Sequence, residues 1–154
     1  MKELNELILS GEVIKSDSSD KYDFLNKISD YLIEKGYVIP KFKDKIIKRE
    51  KQFPTGLITK TINISIPHSE TEYVLKEGII VVIYPDKIKF NRMDKPDEEI
   101  EVEVSFILLL KDKNKHIKVL QQLSELLQSD KLYKIRNCKS RKDVQQLLKE
   151  IDKS

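Results

Sequence analysis

The sequence predicts a single domain of α/β (α+β) class, with a central mixed β-sheet flanked by helices. Two observations carry this prediction. Apolar residues recur at helical spacing before residue 53 and again after residue 116. Between them lie short β-branched or wholly apolar runs of strand length. The order helix, helix, strands, helices fits one sheet with helices packed against it. A chain of 154 residues is the size of one domain and buries enough surface to fold without a disulfide or metal staple, so the domain is taken to span residues 1–154.

The first predicted helix is capped by Ser18 or Ser19 and carries Tyr22, Leu25, Ile28, Leu32 and Ile33 on its apolar side. Gly36 is the expected C′ residue. Val38-Ile39-Pro40 is a short extended link, because proline pushes the residue before it out of the helical region. Lys41–Gln52 reads as a second helix, ended by Phe53-Pro54-Thr55-Gly56. From Leu57 to Pro67 the period changes to two: Ile62, Ile64 and Ile66 alternate with Asn63 and Ser65. Ile79–Tyr84 is a strand candidate apolar throughout, Pro85-Asp86 is expected to turn, and Ile88–Phe90 to return. Ile100–Leu110 reads as a strand running from the sheet margin into its centre. Ile117, Leu120, Leu123 and Leu127 mark a later helix, and Asp130 is a candidate cap for a short helix over Lys131–Arg136. Ser140 with Asp143 resembles a capping box ahead of a final helix that buries Val144, Leu147, Leu148 and Ile151.

Composition narrows the function. Charged residues make up 36% of the chain, yet 29 basic and 26 acidic side chains leave a net charge of only +3, with the signs interspersed. A nucleic-acid binder gathers its basic residues on one face or tail, so no nucleic acid is expected as a partner. Cys138 is the sole cysteine, which excludes an internal disulfide and a thiolate metal cluster. Met1–Leu9 lacks the apolar core of a signal peptide. The longest apolar runs, Ile79–Tyr84 and Phe106–Leu110, are far too short to span a bilayer. A cytoplasmic protein without direct membrane insertion is expected. Phosphate-cradling glycine loops and the G-x-S-x-G elbow are absent. The two histidines show no metal-binding spacing, and no metal or cofactor is expected.

Those histidines are the candidate reactive groups, because an ordinary imidazole titrates near neutrality and its neutral form is a nucleophile. His68 follows Ile64-Ser65-Ile66-Pro67 and so leaves a stiff strand terminus, exposed yet positioned. His116 opens a helix after the polar loop Asp112–Lys115, where an anion is favoured. Read locally, each is more simply an ordinary solvated histidine. Arg49 is either one more charge on a lysine-rich helix or a bidentate fork for phosphate oxygens, and Glu50 is placed to orient it or a histidine ring.

Taken in order, the motifs are more specific. Arg49-Glu50-x-x-Phe53-Pro54-Thr55-Gly56-Leu57, then Ile66-Pro67-His68, resembles the active-site region of the type-2 EIIA family of the sugar phosphotransferase system (PTS). Phe90-x-x-Met93-x-x-Pro96 and His116-x-x-x-Leu120-x-x-Leu123 continue the likeness, which runs from about Tyr31 to Ile151. Phe53–Leu57 is most similar to the galactitol branch. Ser69 departs from the glycine that fructose, mannitol and nitrogen-regulatory relatives more often carry there.

The resemblance implies a phosphocarrier with that family's fold. His68 would accept a phosphoryl group from phospho-HPr and pass it to a cysteine of a cognate EIIB, which works with a membrane EIIC. Arg49 and His116 would hold the phosphoryl oxygens, without metal or nucleotide. One ring nitrogen of His68 must be bare and the other must donate to a carbonyl or carboxylate, with Glu50 and Glu70 as candidates. An apolar rim with mixed charges outside it is expected around His68. The second reading is a regulatory module that binds a protein target according to its phosphorylation state.

Overall fold

The computed structural model describes residues 1–153. The chain runs α1 (Lys2–Ser10), β1 (Glu12–Lys15), α2 (Lys21–Glu34), α3 (Phe42–Gln52), β2 (Gly56–Ile58), β3 (Asn63–Ser65), β4 (Gly78–Asn91), β5 (Glu99–Leu109), α4 (Lys113–Leu127) and α5 (Arg141–Asp152). Short 3₁₀ turns lie at Thr71–Tyr73 and Leu132–Asn137. The five strands form one sheet in the order β1-β4-β5-β3-β2. β1 is parallel to β4 and β3 to β5, while β4–β5 and β2–β3 are antiparallel. The expected mixed sheet is therefore present.

Both faces of the sheet are covered, which explains why Ile79–Tyr84 is apolar at every position. Ile79, Val81 and Ile83 join Phe106 and Leu108 under α1, α4 and α5. Ile80, Val82 and Tyr84 join Ile107 and Leu109 under α2 and α3. All these side chains are buried. The period of two along β4 and β5 thus fixes two cores from one sheet.

Four expectations need correction. The α2 cap is Asp20, whose carboxylate accepts from the backbone N–H groups of Tyr22 and Asp23, rather than Ser18 or Ser19. Leu57–Pro67 is a tight hairpin rather than one strand. The Thr59 hydroxyl bonds the Ile62 carbonyl and accepts from the Ile62 N–H at 3.2 Å, so a residue that reads as β-former by propensity closes a turn instead. Pro85-Asp86 does not turn the chain: β4 passes through it, with a register shift between Ile83 and Ile88. Proline has no N–H for the ladder, and a bulge with Pro85, Asp86 and Lys87 exposed accommodates that. Finally, the 3₁₀ turn at Leu132–Asn137 begins from Lys131, whose N–H donates to Ser129 Oγ; Asp130 supplies no cap.

The final helix and the close of α2 match the expectations more nearly, whereas α4 differs in its start and its buried stripe. Gly36 has φ +80°, a conformation that glycine adopts without the penalty a Cβ would bring. The Ser140 hydroxyl accepts from the Asp143 N–H, and the Asp143 carboxylate accepts from the Lys139 N–H. Val144, Leu147, Leu148 and Ile151 are buried as expected. α4 starts three residues earlier than His116, capped by Asp112 through the Asn114 N–H. Its buried stripe is Val119, Leu123 and Leu126, and Ile117 and Leu120 face outward. α1 and β1 have no counterpart among the elements the sequence pattern predicts.

Candidate active site

β3 and β5 are parallel neighbours, and the chain segments that follow their carboxyl ends carry the two histidines. That end of a strand pair is where open α/β sheets present ligands. The Leu108 N–H donates to the Pro67 carbonyl at 3.2 Å, so the backbone of the Ile66-Pro67-His68 segment is held against β5. His116 occupies the first turn of α4, a short loop beyond β5. The fold brings the rings together with centroids 5.3 Å apart at 65°, an edge-on arrangement.

His68 is half-buried. Its Nδ1 lies 2.9 Å from the Ile66 carbonyl oxygen. A carbonyl only accepts, so Nδ1 carries the proton and Nε2 presents its lone pair. The tautomer is therefore fixed by a backbone carbonyl two residues upstream, and neither Glu50 nor Glu70 serves as the acceptor. Glu50 instead accepts from Thr55, at 2.8 Å from its N–H and 2.8 Å from its hydroxyl. Glu70 accepts from the Ser69 hydroxyl at 2.9 Å.

Burial, with the nearby Arg49 and His116 charges, pulls the His68 pKa below its ordinary value; the Ile66 bond and Glu70 oppose this. Burial and Arg49 lower that of His116 also. Both rings are thus set to be neutral at physiological pH. Glu50 moves the other way: burial pushes its carboxyl up to about 7 against the Thr55 bonds.

Arg49 lies in the last turn of α3, and its field reaches both rings. Its guanidinium stacks 5.5 Å from the centre of the Phe53 ring and makes a loose ion pair with Glu70 at 3.8 Å. Its Nε is buried with no hydrogen-bond partner among the described residues. Lys45, Lys48, Gln52, Phe53 and Glu70 line a shallow cavity with Arg49. Phe53, Ile117 and Leu120 are exposed apolar side chains: Phe53 lies against Arg49, Ile117 follows His116 on α4, and Leu120 is one turn from His116 on the same helix face. The three expected residues, Arg49, His68 and His116, therefore converge. Sequence reasoning missed the Ile66 carbonyl and the place of Thr55, because backbone acceptors leave no side-chain signature.

A family model matches residues 7–151: phosphoenolpyruvate-dependent sugar phosphotransferase system, EIIA 2. The chain belongs to this family. The "PTS system mannitol-specific EIICBA component" of Pasteurella multocida is 29% identical over 121 residues, which are 77% of this chain and 18% of that protein. The "PTS system galactitol-specific EIIA component" of Escherichia coli strain K12 is 28% identical over 109 residues, 71% of this chain and 72% of that one. The mannitol and galactitol relatives are thus matched about equally. The chain spans less than a fifth of the mannitol relative's length. Among solved structures, a complex of mannitol enzyme IIA with phosphorylated enzyme IIB from Escherichia coli matches with a TM-score of 0.70 at 23% identity, covering 90% of this chain and 94% of that one. The EIIA fold is the one this sheet and its helices adopt. Among the described residues no helix is long and apolar enough to cross a membrane.

Proposed function

We propose that the chain is a cytoplasmic EIIA phosphocarrier of a sugar or sugar-alcohol phosphotransferase system. His68 accepts a phosphoryl group from phospho-HPr and passes it to a cysteine of a cognate EIIB, which serves a membrane EIIC. The observation that carries this reading is the half-buried His68 ring with Nδ1 bonded to Ile66 and Nε2 bare, facing His116 and Arg49.

The chemistry follows from that geometry. The Nε2 lone pair attacks phosphorus as the phosphorus–nitrogen bond of the donor histidine breaks and its electron pair returns to the donor ring. Phosphoryl transfer passes through a loose transition state, so the protein chiefly aligns the groups and neutralises charge. As Nε2 takes the phosphorus, positive charge grows on the ring, and the Nδ1–H bond to Ile66 stabilises it. Arg49 supplies planar donors for the non-bridging oxygens. Its resting partner suits that role, because the 3.8 Å contact to Glu70 joins two side chains 35% and 47% exposed, a weak pair that phosphate can displace. His116 is the second donor. Transfer onward is the same step in reverse, with a thiolate as the attacking group.

The exposed Phe53, Ile117 and Leu120 supply an apolar centre for two successive partners, and Lys45 and Lys48 a basic margin. The partner assignment is supported by the mannitol IIA–IIB complex that shares this fold. The Phe53–Leu57 segment resembles the galactitol branch, and the mannitol and galactitol in the names of the two relatives support a sugar alcohol as the transported class.

Labelling with phosphoenolpyruvate, enzyme I and HPr tests the reading. The chain should take up one acid-labile phosphoryl group, and His68→Ala should take up none. Full labelling of that variant would overturn the assignment.

A further inference from the structure

Glu50 is a buried carboxylate, 2% exposed, that the proposed transfer does not use directly. It neighbours Arg49 in sequence but bonds to Thr55, across the Phe53-Pro54 turn that ends α3. Both carboxylate oxygens are engaged, one by the Thr55 N–H and one by the Thr55 hydroxyl, each at 2.8 Å. Thr55 is itself 3% exposed. Its carbonyl accepts from the Ile66 N–H at 3.2 Å, extending the β2–β3 ladder by one rung past Gly56–Ser65. The Ile66 carbonyl accepts from His68 Nδ1 at 2.9 Å. The fold leaves little freedom at the middle of this line. Pro54 has a fixed φ and Ile66 precedes a proline. A Cβ on Gly56 would lie 2.6 Å from the Asn91 carbonyl oxygen, so the turn is seated directly on the β4 backbone.

We infer that Glu50 is a positioning residue that acts through Thr55 and the Ile66 backbone to hold the His68 ring in its Nδ1–H tautomer with Nε2 aimed outward. The same carboxylate ties the end of α3 to the hairpin, so the helix turn that carries Arg49 and the strand end that carries His68 are set by one group. Removing it leaves the buried Thr55 N–H without an acceptor and frees the turn to shift, and with it the rung that locates Ile66. The inference rests on His68 as the phosphoryl acceptor, but its structural part can be read without any transfer.

Three variants of the full chain test it: Glu50→Ala, Glu50→Gln and Thr55→Val. Nitrogen-15 NMR of the imidazole reports the His68 tautomer, and the HPr-driven labelling rate reports function. In the parent chain Nδ1 should be protonated and Nε2 bare. Glu50→Ala should mix the two tautomers and slow labelling about tenfold or more, as expected when a reacting group loses its alignment. Glu50→Gln, which can accept from the Thr55 N–H and donate to its hydroxyl oxygen, should recover the parent tautomer and most of the rate. Thr55→Val removes one of the two bonds and should lie between; it carries the test if Glu50→Ala does not fold. A folded Glu50→Ala or Thr55→Val with the parent tautomer and rate would overturn the proposal. So would a Glu50→Gln protein as slow as Glu50→Ala, since that would make charge rather than contact the operative property. Absence of labelling in the parent chain would defeat the phosphocarrier reading alone, and the tautomer would still decide the role of Glu50.

Discussion

The two histidines lie 5.3 Å apart and are held in opposite ways. His68 has its ring bonded to the Ile66 carbonyl and its backbone held against β5. His116 stands in the first turn of α4, and its ring has no hydrogen-bond partner among the described residues. Its neighbours Ile117 and Leu120 are exposed, whereas the residues before His68, from Ile64 to Pro67, are all buried. Under the proposed phosphocarrier function, the difference separates two jobs. A nucleophile needs one nitrogen kept bare, which demands a fixed tautomer. A group that covers phosphoryl oxygens needs a free donor that adjusts as the phosphorus moves between partners.

The largest expected effect that would break this division comes from exchanging which ring is lost. His68→Ala should eliminate labelling, whereas His116→Ala should still label, slowed roughly 10²-fold, the range for removal of one transition-state donor. Equal loss in the two variants, measured as initial rates of phosphoryl uptake, would show that the rings act as one unit. Arg49→Lys keeps the charge but loses the planar fork, and should slow uptake at least about tenfold.

Stability separates the groups in a different way. Glu50 has its pKa raised from 4.5 to about 7, so the folded chain binds a proton more tightly than the unfolded one. That contribution is present below about pH 4.5 and is lost as pH rises toward 7, a difference of about 3 kcal/mol. Glu50→Gln carries no such penalty. It should match the parent near pH 4.5 and exceed it by up to that amount at pH 8, measured by urea denaturation. The histidines run opposite: with pKa values lowered on folding, they favour the unfolded chain as pH falls below the ordinary value of about 6.5. The smallest effect expected is in their own titration. The ring Cε1–H signals of His68 and His116 should both show midpoints below about 6.5 by NMR. A midpoint above that value for either ring would contradict the neutral resting state.

Much of the fold and of the candidate site is legible in the sequence alone. The apolar run Ile79–Tyr84 announces a strand buried on both faces, and the ordered motifs around Arg49, His68 and His116 single out those three residues. What is not legible has physical causes. Leu4, Leu7 and Ile8 do pack as one face of α1, but the charges interspersed through Met1–Leu9 mask that spacing. The α4 stripe is misread from the sequence because Ile117 and Leu120 satisfy the helical period while lying on the side that flanks His116. Periodicity identifies an apolar face without saying whether it meets a core or a partner. Thr59 falls within the Leu57–Pro67 stretch that the sequence pattern reads as extended, because propensity ignores a hydroxyl that can close a turn. The acceptor for His68 is invisible in the sequence for a simpler reason: every residue has a carbonyl, and only the path of the chain at Ile66-Pro67 decides which one meets the ring.

The most direct test of His68 as the carrier is to phosphorylate the chain from HPr and locate the label by phosphorus-31 and nitrogen-15 NMR. A single phosphoryl group on Nε2 of His68, with Nδ1 left to the Ile66 carbonyl, is the predicted result. A label on Nδ1 of His68, or on His116, would contradict it.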